Sequence, residues 1–119
     1  MTVKRISNAA FEVLLSGDTR QSASCVIKFY SNRCHFCHEL KKDYLEISKE
    51  FDEVHFFAFN TDDYPFLDKL INIQGVPTIA YIRTGRQPYV SILSEPADSH
   101  GLTWYHKQDI IDFIKKEIK

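Results

Sequence analysis

Apolar and polar positions along the chain alternate between short apolar runs and amphipathic stretches. Ala10, Phe11, Leu14 and Leu15 recur at helical spacing after Ser7, a residue suited to an N-cap, and before Gly17, suited to the left-handed position past a helix end. They predict a helix over 7–16, preceded by a short strand at 2–6. The run SCVIKFY at 24–30 is β-branched and aromatic and mostly apolar on both faces, which predicts a central strand. Leu40, Tyr44, Ile47 and Phe51 again recur at helical spacing, with Lys41, Lys42, Glu46, Lys49 and Glu50 on the remaining faces, so a helix is expected over about 35–51. VHFFAFN at 54–60 predicts the next strand. TDDYPFLDKLI after it predicts a helix capped by Asp63, with Pro65 in its first turn.

The second half of the chain changes character. Two apolar runs, at 78–83 and 89–93, flank a turn from Thr84 to Pro88, the mark of an antiparallel hairpin. Residues 94–105 are rich in turn formers, and a last helix starting near 107 carries Ile110, Phe113 or Ile114, and Ile118 on one face. Alternating strands and helices followed by a hairpin give an α/β class: a central mixed β-sheet flanked by helices on both faces. With 119 residues and 44% hydrophobic content, one domain over 1–119 can bury its own core. A formal net charge of −1 supplies no basic field for nucleic acid. The apolar run near the N-terminus is broken by polar residues and too short for a signal core or a membrane span, so no membrane partner is expected and the cytoplasm is the expected location.

The chemistry concentrates in NRCHFCHEL at 32–40. Of three cysteines, Cys25, Cys34 and Cys37, the last two form a CxxC, which in a reducing compartment points to redox or metal chemistry in preference to a structural disulfide framework. A helix starting at Cys34 places that sulfur at the positive helix end, where the dipole and free N–H groups favour thiolate. Cys37, one turn later on the same face, is within reach of it. Cys34 would then attack a substrate disulfide, and Cys37 would attack the mixed disulfide and release the reduced substrate.

The strand and dithiol VIKFYSNRCHFC, the GVPT at 75–78 before the hairpin, and the Gly85 turn together resemble the thioredoxin family, along nearly the whole chain. The resemblance implies the thioredoxin fold and a protein-disulfide oxidoreductase with Cys34 and Cys37 catalytic. It also implies that Pro77 follows a cis peptide bond beside the cysteines and that the Val76 backbone pairs with extended substrate. Expected partners are disulfide-containing proteins and a separate electron donor such as a thioredoxin reductase, since no glycine-rich dinucleotide fingerprint is present. The expected cofactor list is empty apart from the redox-active Cys34–Cys37 disulfide, with no metal, and the expected state is a monomer.

The chain departs from the family around the dithiol. Arg33 stands where the family usually has Trp, His35-Phe36 lies between the cysteines, and Lys28 takes the strand position where thioredoxins bury an acid. Positive charge from Arg33, Lys28 and any protonated His35 or His38 favours thiolate and makes the pair more oxidising, above the roughly −270 mV of thioredoxin. His38 is the candidate replacement base. Each has a plainer reading: Arg33, His35 and His38 as solvated side chains, Lys28 as a stem along the core with its head at the surface, Phe36 as packing on the first helical turn. Cys25 reads as a buried core residue, His55 as a strand residue, Trp104 as a cover on the core edge, and Asp62 and Asp63 as cap and solvated charge. Two other functions compete. Zinc on Cys34, His35, Cys37 and His38 is disfavoured because four ligands within five residues of one helix start cannot converge tetrahedrally. A protein-binding module gripping a partner around Phe36, Val76 and Pro77 is the main alternative.

Overall fold

A computed structural model describes residues 3–19, 21–64, 67, 70–73 and 75–118. The elements run β1 (Lys4–Arg5), α1 (Asn8–Leu15), β2 (Ser24–Tyr30), α2 (His35–Ser48), β3 (Val54–Asn60), a 3-10 turn (Thr61–Asp63), β4 (Thr78–Arg83), β5 (Tyr89–Ile92) and α3 (Lys107–Glu117). The sheet order is β1-β3-β2-β4-β5, parallel among β1, β3 and β2 and antiparallel where β4 joins β2 and β5. This is the mixed sheet with helices on both faces that the alternation implies.

Strand alternation divides the core in two. Val26, Val54, Phe56, Ile79 and Tyr81 face α2 and α3, meeting Leu40, Tyr44, Ile47, Ile110 and Ile114. Cys25, Ile27, Phe29, Phe59, Ala80 and Ile82 face the other way, onto Phe11 of α1, Leu67 and Ile71. The Tyr44 hydroxyl reaches the carbonyls of Val26 at 3.0 Å and Phe57 at 2.7 Å, tying α2 to both strands that flank the dithiol loop.

Ser7 caps α1 by accepting from the Ala10 N–H, and Gly17 follows at φ +79, with its α-carbon so close to the Arg86 carbonyl that a Cβ would lie 3.0 Å from that oxygen. Other boundaries differ from expectation. Helix α2 stops at Ser48, a turn before Phe51, because the chain tightens there: Lys49 and Glu50 N–H groups bond three residues back, and the Val54 N–H returns to Phe51. Phe51 remains buried, so its helical spacing reflects core contact past the helix end. The cap after β3 is Asn60, whose side chain accepts from the Asp62 N–H, whereas Asp63 is turned to Arg5 at 2.6 Å. The helix expected over 61–71 does not start at 61: Thr61–Asp63 form a 3-10 turn that ends with Tyr64 in extended backbone at φ −143 and ψ 91, and Pro65 and part of the rest lie outside the described residues. Strands β1 and β5 are shorter than expected, although Ile6 and Leu93 each add a backbone bond, to Ala58 and Ile79.

Candidate functional site

The central strand β2 ends at Tyr30, and the chain leaves its C-terminal end to start α2 at the dithiol, the end of a parallel strand where α/β folds place their sites. Cys34 is the N-cap of α2, and its Sγ accepts the Cys37 N–H at 3.0 Å. The two sulfurs are bonded, with Cα atoms 5.2 Å apart. Cys34 keeps 8% of its surface and Cys37 only 3%, so an incoming sulfur meets Cys34 first. The loop before it is held by a polar shelf: buried Asn60 donates to the Asn32 side chain at 2.9 Å, and Asp62 accepts the Asn32 N–H at 3.0 Å. Asp62 is therefore a fastening of this loop and not merely a cap or a solvated charge. A polar residue closing an apolar strand was the one available signal for Asn60.

Lys28 lies on the α2 face of the sheet. It is buried, and its Nζ sits 5.3 Å from the Tyr44 ring centre and 5.8 Å from that of Tyr30. The side chain is more buried than a stem-and-surface reading expects, its head set against two rings at the wall of a cleft; burial, with a smaller push from Lys41, lowers its pKa to about 8. Lys28, Cys37, His38 and Lys41 line one cleft. His38 itself is exposed, with Nε2 3.3 Å from the Asn32 carbonyl. Arg33 and His35 are exposed at the helix start.

Phe36 does not pack on its own helical turn alone. Its ring meets that of Trp104, 5.7 Å between centres, so the loop before α3 reaches the residues between the cysteines. Trp104 has φ +67 and is bridged to His100 by backbone bonds of 2.9 and 3.0 Å in both directions. It also lines a groove with Gly75, Val76 and Pro77, where the Val76–Pro77 peptide is cis. Trp104 thus does more than cover the core edge. Cys25 faces the opposite core, and burial pushes its thiol up to about 11. His55 is an exposed strand residue stacked on Phe57. Among the described residues, no three His, Cys, Asp or Glu side chains gather as a metal site.

The thioredoxin family model matches residues 2–114, and the chain belongs to the thioredoxin family. A thioredoxin of Borreliella burgdorferi is 30% identical over 74 residues, 61% of this chain and 63% of that relative, so the match spans less than two thirds of its length. Among solved structures, chloroplastic thioredoxin z superposes with a TM-score of 0.68 at 21% identity, covering 100% of this chain and 97% of its own. The thioredoxin of Malassezia sympodialis gives 0.68 at 17% identity, covering 97% and 90%. The J-Trx1 fragment of ERdj5 gives 0.65 at 19%, and this chain spans 98% of itself and 51% of that fragment. These structural likenesses establish the fold.

Proposed function

We propose that the chain is a thiol–disulfide oxidoreductase acting on disulfides of other proteins. In the reduced form, the Cys34 thiolate attacks one sulfur of the substrate disulfide, forming a mixed disulfide and expelling the other sulfur as a thiolate. Cys37 then loses its proton and attacks Cys34 Sγ; the intramolecular disulfide forms and the second substrate thiol leaves. Two electrons pass to the substrate, and a separate thiol or reductase donor returns them. The observation that carries this reading is the Cys37 N–H on Cys34 Sγ at the start of α2, which favours a thiolate on the more exposed sulfur.

Val76 and Pro77 beside Trp104 supply a groove for extended substrate, and Phe36 adds an apolar rim. Arg33 and Lys28 contribute positive charge that favours the reduced form, which makes the pair more oxidising than thioredoxin. His38, hydrogen-bonded to Asn32 and sharing the cleft of Cys37, is positioned to take the Cys37 proton. The reading keeps the protein a cytoplasmic, single-domain monomer that uses no metal or cofactor beyond its own disulfide; no described helix is long and apolar enough to cross a membrane. The test is reduction of a disulfide-containing protein by the reduced chain. Cys34→Ser should abolish it, whereas Cys37→Ser should accumulate a mixed disulfide visible by mass spectrometry. Undiminished turnover in Cys34→Ser sinks the assignment and leaves the groove as a binding surface alone.

A further inference from the structure

The cleft behind Cys37 has a volume of about 480 Å3, within the range of small-molecule sites. Its walls are apolar where Val3, Tyr30, Leu45 and Ala58 contribute; Lys28, Lys41, His38 and Arg5 line it, and among the described residues no carboxylate does. Arg5 is occupied by Asp63. Lys28 retains only 6% of its surface, and its ammonium lies over the two tyrosine rings; among the described residues the ammonium has no ion pair or hydrogen bond. Its ammonium is therefore desolvated on the protein side and unneutralised, with Lys41 repelling it across the cleft.

Such an arrangement is costly for the fold. An unpaired buried ammonium disfavours the native state, and an apolar residue of similar size would fill the same space at lower cost. Uncompensated local cost of this kind marks a functional position. The missing partner is an anion, and the apolar walls define the rest of the ligand.

We propose that this cleft binds a small organic monoanion, its carboxylate on the Lys28 ammonium and its apolar body against Tyr30, Leu45 and Val3. A strongly hydrated inorganic anion would leave those walls uncovered, and a neutral apolar molecule would leave Lys28 unpaired. The charge and the hydrocarbon are both needed. The site does not depend on the dithiol turning over, so its test uses the oxidised protein.

The probe is hexanoate, titrated by calorimetry and by amide shifts in two-dimensional NMR, with hexan-1-ol as the uncharged counterpart. Hexanoate should bind saturably in the millimolar range or below, with the largest shifts at Leu45 and Ala58. Hexan-1-ol and the Lys28→Met variant should each be weaker by about tenfold or more, the scale of one charge-assisted hydrogen bond. Lys41→Gln should fall between and serves if Lys28→Met folds poorly. Absence of saturable hexanoate binding up to about 10 mM, where an efficient ligand of this size registers, overturns the proposal. So does equal affinity for hexan-1-ol, or binding unchanged in both variants.

Discussion

Lys28 sets a balance at the level of one residue. Burial, and the neighbouring Lys41, hold its folded-state pKa near 8, below the ordinary 10.5 of an exposed lysine, and among the described residues no carboxylate lines its cleft. Below pH 8 the group is charged in both states and the full burial cost is present. Between 8 and 10.5 the unfolded chain binds the extra proton, so this contribution makes stability rise with pH until the cost has gone. Lys28→Met keeps the stem and removes the charge. It should stabilise the fold by roughly 2 kcal/mol at pH 7, with the gain shrinking as pH approaches 10; denaturant unfolding of both proteins at several pH values measures the gap. A variant no more stable than the parent at pH 7 would mean that Lys28 has a stabilising partner. The sequence showed Lys28 in a strand but not its direction, because a strand apolar on both faces gives alternation nothing to orient. Cys34 and Cys37 were legible since their chemistry depends on local spacing and on one helix end.

At the scale of elements, β2, β3 and β4 occupy the segments expected from their apolar runs, and the start of α2 at the dithiol follows from Cys34 acting as its cap. Periodicity reads such local patterns. It does not read which loop meets which, and so Phe36 against Trp104 was invisible: the two lie far apart in sequence and neither sits in a repeating pattern that includes the other. The loop is organised by His100, whose Nδ1 accepts the N–H groups of Leu102 at 3.1 Å and Thr103 at 3.4 Å while its backbone pairs with Trp104. Removing that acceptor should release Trp104 from Phe36. Trp104 is the single tryptophan, so emission reports the change without interference. His100→Ala should shift emission to the red with a stability loss of about 1 kcal/mol, the exposed Leu102 N–H turning to water and the buried Thr103 N–H losing its acceptor. His100→Asn offers a side-chain oxygen in place of Nδ1 and should keep the emission close to that of the parent. Unchanged emission in His100→Ala would show that the backbone bridge alone holds the loop.

The whole molecule separates the site from the fastening of its sheet. The dithiol, Pro77 and Trp104 gather where β2 ends and β4 begins, while the β4–β5 turn lies at the opposite end of β4. There the edge strand is held from both faces. Gly17 behind α1 meets the Arg86 carbonyl, and Glu117 in the last turn of α3 accepts from Tyr89 at 2.8 Å and Ser91 at 3.0 Å. Arg83 donates to the Glu117 backbone carbonyl at 3.1 Å, drawing β4 into the same clamp. This polar closure suits an edge strand, whose open ladder would otherwise invite pairing with another chain. Glu117→Ala strips the acceptor from two hydroxyls at once, at a cost of about 1–3 kcal/mol, partly relieved where water reaches Tyr89. Among the described residues the hydrogen bonds of Glu117 go to β4 and β5, and none to α2 or β2. The thiol–disulfide equilibrium of Cys34 and Cys37, measured by alkylation and mass spectrometry in defined thiol buffers, should therefore stay at its parent value while the unfolding midpoint falls. An equilibrium that moved together with stability would mean that the hairpin end is coupled to the dithiol through β4, and that the two ends of the sheet act as one unit.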